Sequence, residues 1–136
     1  MKLSIITINY NNLEGLKKTY ESVVCQTWTD YEWIIIDGGS TDGSREFIEE
    51  HQDKFAYWCS EPDKGVYNAM NKGIAKAQGE YLNFMNSGDR FYDHQTLNEV
   101  FSSGFQEDIL YGNELQYNEM NVIKDLLPDN LTLHFL

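Results

Sequence analysis

Three apolar, β-branched runs each stop at a polar loop, with helical spacing between them, and that alternation restricts this chain more than any other feature. Leu3, Ser4, Ile5, Ile6, Thr7 and Ile8 halt at Asn9-Tyr10-Asn11-Asn12. Trp33, Ile34, Ile35 and Ile36 halt at Asp37-Gly38-Gly39, and Tyr81, Leu82, Phe84 and Met85 halt at Asn86-Ser87-Gly88-Asp89. Short apolar runs bounded by turn residues read as buried strands. Leu13, Leu16, Tyr20, Val23 and Val24 predict a helix to about Gln26, capped by Asn11 or Asn12. A second helix is expected after Asp42 with Phe47 and Ile48 turned inward, then a strand over 55–59. Val66, Ala69, Met70, Gly73, Ile74 and Ala77 form a further helical face, with Gly79 as its left-handed C-terminal residue. Leu97, Val100 and Phe101 suggest a weaker helix, followed by a strand over 108–111 and a hairpin through Leu115, Tyr117 and Asn118. The fold class that follows is α/β, a mostly parallel central sheet flanked by helices.

At 136 residues and 41% hydrophobic, the chain reads as one domain, 1–136. Ten Lys plus Arg against 22 Asp plus Glu give a formal charge of -12, which repels nucleic acid and anionic membrane surfaces. A phosphorylated ligand would have to be held locally, by backbone amides, a few cations or a divalent metal. No apolar run approaches the roughly 20 residues of a membrane span. Cys25 and Cys59 have no metal or redox spacing and read as small buried hydrophobes of a reduced, cytoplasmic protein, with peripheral attachment to the inner membrane face as a variant of that location. His51, His94 and His134 show no ligand or triad spacing.

The polar loops at 9–12, 37–43 and 86–89 should share one edge of a parallel sheet, where ligands of open α/β sheets bind. The first loop has no glycine before Gly15, so the GxGxxG of dinucleotide binding is missing, as is the Walker motif.

Leu3-Ser4-Ile5-Ile6-Thr7-Ile8-Asn9-Tyr10-Asn11-Asn12, Ile35-Ile36-Asp37-Gly38-Gly39-Ser40-Thr41-Asp42-Gly43-Ser44, and Asn68-Ala69-Met70-Asn71-Lys72-Gly73 with Ala77, Gly79, Glu80 and Tyr81 closely resemble the family 2 glycosyltransferases of Rossmann-like GT-A fold. The resemblance covers nearly the whole chain. It implies inverting transfer of a sugar from a nucleotide sugar, usually a UDP-sugar, to a hydroxyl of a glycan or lipid-linked acceptor, assisted by Mg²⁺ or Mn²⁺, in surface polysaccharide synthesis. Carried over, Asn9 and Tyr10 would frame the base, Asp37 would accept a hydrogen bond from uracil, and Lys64, Gly65 and Asn71 would lie near the diphosphate. The family's DxD motif falls on Asn86-Ser87-Gly88-Asp89, where only the last acid is present. Asp89 would be the metal ligand, and Gly88 stands where an acid commonly touches the ribose.

The catalytic base of the family lies in an acceptor-binding half beyond the matched stretch. Glu114 and Asp125 sit in no matching motif and read as surface acids. Leu131 and Phe135 suggest a helix broken off in its second turn, so the fold is expected to be C-terminally incomplete, with homodimerisation through that apolar end. Two rival readings are a catalytically inactive nucleotide-binding scaffold and a nucleotidyltransferase, the latter lacking its Gly-rich basic loop.

Overall fold

The computed structural model describes residues 1–102 and, further on, the backbone of 114–117 and 122–125. The chain divides into two compact units, Met1–Ser103 and Gly104–Leu136. In the first, strands β1 (Leu3–Asn9), β2 (Tyr31–Asp37), β3 (Tyr57–Ser60) and β4 (Tyr81–Phe84) alternate with helices α1 (Leu13–Val24), α2 (Ser44–Glu50) and α3 (Val66–Lys76), and α4 (Thr96–Ser102) follows β4. The strands form one parallel sheet in the order β3-β2-β1-β4, with Leu3 opposite Tyr31 and Asn9 opposite Asp37. In the second unit, β5 (Glu114–Tyr117) and β6 (Val122–Asp125) pair antiparallel, as the expected hairpin requires, and the register sets Glu114 opposite Asp125. The expected strand at 108–111, Asn118 and the helix through Leu131 and Phe135 lie outside the described residues.

The two central strands are apolar on both faces because helices cover both. On one face Ile6, Ile34 and Ile36 pack with Ala69 of α3. On the other, Trp33 is 1% exposed, stacks on Tyr20 of α1 and meets Phe55 edge-on. Its indole Nε1 donates to Thr7 Oγ1 at 2.9 Å, which satisfies the one polar atom that burying a tryptophan brings inside. Each fully buried Ile or Leu contributes roughly 1.5–3 kcal/mol. Asn12 caps α1 by accepting from the Gly15 N–H at 3.1 Å.

Three expectations need correction. Gly79 has no positive φ; a Cβ there would lie 2.7 Å from the backbone of Leu3 and Ser4, so the glycine is required by close approach to β1, and Ala77 caps α3. On α3 only Ala69 and Gly73 are buried, while Val66 and Ile74 are exposed, because the helix rests on β1 and β2 through a narrow stripe. Cys25 is exposed at the end of α1 and Cys59 only half-buried, so neither thiol is a core residue; burial still pushes the Cys59 thiol up.

Candidate functional site

From β1 the sheet grows one way to β2 and β3, then β4 adds on the opposite side of β1. That reversal makes a crevice outside the carboxyl ends of the strands, where open α/β sheets take their ligands. The loops after β1 and β2 are locked together at this edge. Asn11 N–H donates to Ser40 Oγ, Thr41 N–H to Asn11 Oδ1, Leu13 N–H to Asp42 Oδ2 and Gly38 N–H to the Asn9 carbonyl, all at 2.8–2.9 Å. The Ser44 hydroxyl, then the Leu13 amide, holds the Asp42 carboxyl below its ordinary value.

Beside these loops a cleft of about 380 Å³ is lined by Ile8, Asn9 and Tyr10 from the end of β1, Gly38 from β2, Pro62, Asp63 and Gly65 after β3, and Val66 and Ala69 of α3. Asn9 is 1% exposed; its Nδ2 donates to Asp37 Oδ1 at 2.7 Å, and its buried Oδ1 has no hydrogen-bond partner among the described residues. Tyr10 and Asp63 both crowd Gly38: a Cβ on Gly38 would lie 3.1 Å from Asp63 Oδ2 and 3.2 Å from Tyr10 Cδ1. Asp63 Oδ1 is occupied by the Gly65 N–H at 3.0 Å.

Asp37, expected to accept from the base, is surrounded by donors of its own loop, β1 and β3. It is fully buried, and Asn9 Nδ2, Ser40 Oγ and Ser60 Oγ donate to it at 2.7 Å, the Ser40 amide at 2.9 Å and the Gly39 amide at 3.2 Å. The five donors that converge on this buried carboxylate make Asp37 the organising group of the loop. Asn71 is exposed and lies two residues from Ala69 on α3, about 200° around a helix from the cleft-lining position. Lys64 is exposed on the loop after β3, its N–H held by Asn68 Oδ1 at 3.0 Å, and Gly65 reaches the cleft wall. Asp63 escaped the sequence reading; its one signal was an acid between Pro62 and Gly65 at a strand's carboxyl end.

Beyond β4 the segment 86–89 is a tight turn, Asp89 N–H donating to the Asn86 carbonyl at 2.9 Å and Asn86 N–H to Asp89 Oδ2 at 3.2 Å. Asp89 is exposed, and no group of three or more His, Cys, Asp or Glu able to hold a metal occurs among the described residues. The donor type fits a hard cation such as Mg²⁺ or Mn²⁺, which binds through one or two carboxylates and completes its shell with water and phosphate oxygens. His51 is engaged structurally, its Nδ1 at 2.8 Å from the Phe47 carbonyl and its ring against Tyr20.

Residues 4–111 match the family described as Glycosyl transferase family 2. The chain belongs to that family. An uncharacterized glycosyltransferase of Mycobacterium tuberculosis strain CDC 1551 is 49% identical over 90 residues, covering 65% of this chain and 34% of the relative. An uncharacterized glycosyltransferase of Nostoc sp. is 32% identical over 148 residues, covering 96% of this chain and 44% of the relative. The chain thus spans less than half the length of the curated relatives it matches. Among solved structures, S. aureus TarS 1-349 in complex with UDP-GlcNAc superposes with a TM-score of 0.67 at 23% identity, over 75% of this chain and 30% of TarS. The mannosyltransferase PcManGT of Pyrobaculum calidifontis, in complex with GDP-Man and Mn²⁺, gives 0.62 at 22% identity, over 71% and 30%. The family 2 chain therefore has the GT-A glycosyltransferase fold. No helix among its described residues is long and apolar enough to cross a membrane.

Proposed function

We propose that residues 1–136 form the nucleotide-sugar-binding part of an inverting glycosyltransferase that passes a sugar from a nucleotide sugar, a UDP-sugar for preference, to an acceptor hydroxyl in surface glycan synthesis. The observation that carries this reading is the cleft at the carboxyl edge, lined by Asn9, Tyr10, Gly38 and Asp63, with the acceptor Asp63 Oδ2 beside the Gly38 backbone. A uracil ring presents one N–H donor and would rest against the exposed Tyr10 ring in this cleft, with Asp63 as the acceptor that reads the N–H. A base lacking that donor would leave a desolvated carboxylate unpaired, a loss of about 1–3 kcal/mol.

Family membership and the relatives' printed ligands, UDP-GlcNAc for TarS and GDP-Man with Mn²⁺ for PcManGT, support a nucleotide-sugar donor. Asp89 would hold the Mg²⁺ or Mn²⁺, and the metal when bound would offset diphosphate charge that a chain of -12 has few cations to meet. Calorimetry with UDP, GDP and CDP tests the base site. Uridine and guanosine nucleotides, which carry a ring N–H donor, should bind more tightly than CDP, and Asp63→Ala should weaken UDP about 5- to 150-fold without lowering the melting temperature. Unchanged UDP affinity in Asp63→Ala sinks the assignment.

A further inference from the structure

The turn after β4 is tied to α1 through one stripe of that helix. Asn12, Gly15 and Thr19 are spaced three and four residues apart, so they share a face. Asn12 Nδ2 donates to the Ser87 carbonyl at 3.2 Å, and the Gly15 carbonyl accepts from the Gly88 N–H at 3.1 Å. Thr19 sits at the centre. Its hydroxyl donates to the Asp89 carbonyl at 2.7 Å, with the Asn86 carbonyl at 3.3 Å as the weaker alternative, and accepts from the Gly88 N–H at 3.0 Å. Thr19 is fully buried inside a helix, a position where a β-branched hydroxyl brings no helix propensity and needs a partner to offset desolvation. Its partners are all in the turn that carries Asp89. Gly88 has φ +100°, which a left-handed turn position requires, so the turn cannot slide along α1 without losing both the Thr19 and Gly15 bonds at once.

We propose that Thr19 is a positioning residue: through the Asp89 carbonyl and the Gly88 amide it fixes the turn so that the Asp89 carboxylate is held ready for a divalent cation bound with a nucleoside diphosphate. The inference rests on the metal role given to Asp89 above. A hydroxyl that anchors the backbone of a ligating residue acts as outer partners of metal sites do, whose removal costs about 10–100-fold in metal affinity or activity.

The test is UDP calorimetry on the 136-residue chain in Mn²⁺ and in EDTA, for the wild type, Thr19→Val, Thr19→Ser, Asn12→Ser and Asp89→Ala. The wild type should bind more tightly in Mn²⁺, and Asp89→Ala should lose that gain. Thr19→Val, which keeps the shape and removes the hydroxyl, should lose about tenfold or more of the gain while its affinity in EDTA stays at the wild-type value. Thr19→Ser should restore the gain. Asn12→Ser keeps a capping oxygen but loses the amide donor to Ser87, and should show a smaller loss of the same kind. A purely structural Thr19 would lower the affinity in Mn²⁺ and in EDTA together, and that result, or a full Mn²⁺ gain in Thr19→Val, overturns the proposal. Should Thr19→Val not fold, a full gain in Asn12→Ser overturns it. A wild type without any Mn²⁺ gain, or a gain that survives Asp89→Ala, overturns the metal reading and the Thr19 role with it; a gain lost in Asp89→Ala but kept in Thr19→Val overturns the Thr19 role alone.

Discussion

Asp37 and Asp63 show how two carboxylates near one sheet edge take different work from their surroundings. Five donors converge on Asp37, and no solvent reaches it. Asp37→Ala should therefore cost about 3 kcal/mol or more of stability, since several buried donors lose their acceptor together. Urea denaturation measures this directly, and a midpoint within error of the wild type would show that water replaces the carboxylate at no cost. Asp63 has one oxygen committed to the Gly65 amide and the other beside the Gly38 backbone, so on the proposed reading its removal should weaken nucleotide binding and leave folding intact. The two substitutions form a matched pair: one shifts the unfolding midpoint, the other the nucleotide affinity.

The amino end of the sheet is closed by polar side chains as tightly as the carboxyl end is opened by loops. Glu32 on β2 is buried, and its Oε2 accepts from Ser4 Oγ and from the Gln78 N–H, both at 2.6 Å. Ser4 Oγ in turn accepts from the Gly79 N–H at 2.8 Å, so β1, β2 and the α3–β4 connection meet at one point. A side chain at Gly79 collides with backbone there, not with a flexible tip. Gly79→Ala should destabilise by about 1–3 kcal/mol, the usual scale of overpacking. The α1 stripe and the 86–89 turn are far from this point in the strand direction, so the Mn²⁺ gain defined above should survive in Gly79→Ala at temperatures where it remains folded. A melting temperature equal to the wild type would mean that β1 moves aside freely.

Across the whole molecule the charge of -12 sets the sign of its salt response. Nucleoside diphosphate and protein repel each other when no metal is present, and salt screens that repulsion over about 10 Å at 0.1 M. UDP affinity in EDTA should therefore rise as NaCl goes from about 20 to 200 mM, opposite to the behaviour of a basic phosphate site. Titrations at three salt concentrations check it; affinity that falls with salt would reveal a local cationic field, with Lys64 the first residue to examine.

The four strands of the parallel sheet, the first helix and the α/β class were legible because each rests on local patterning: β-branched runs, helical spacing, and turn residues where the chain must reverse. The motifs also fall at the carboxyl edge of the sheet, since loops that follow parallel strands have to lie there. What each side chain does at that edge was decided only in three dimensions. Asp37 sits one residue before the cleft wall and points among Asn9, Ser40 and Ser60, whereas Gly38 and Asp63, 25 positions apart in sequence, come together in that wall. Gly79 looked like a helix end and is instead a contact between two backbones. Thr19 carried no signal at all, because its partners lie 67 to 70 residues away. Hydrogen bonds of that separation have no period in the sequence; they exist only once β4 has paired with β1 and carried the 86–89 turn onto α1.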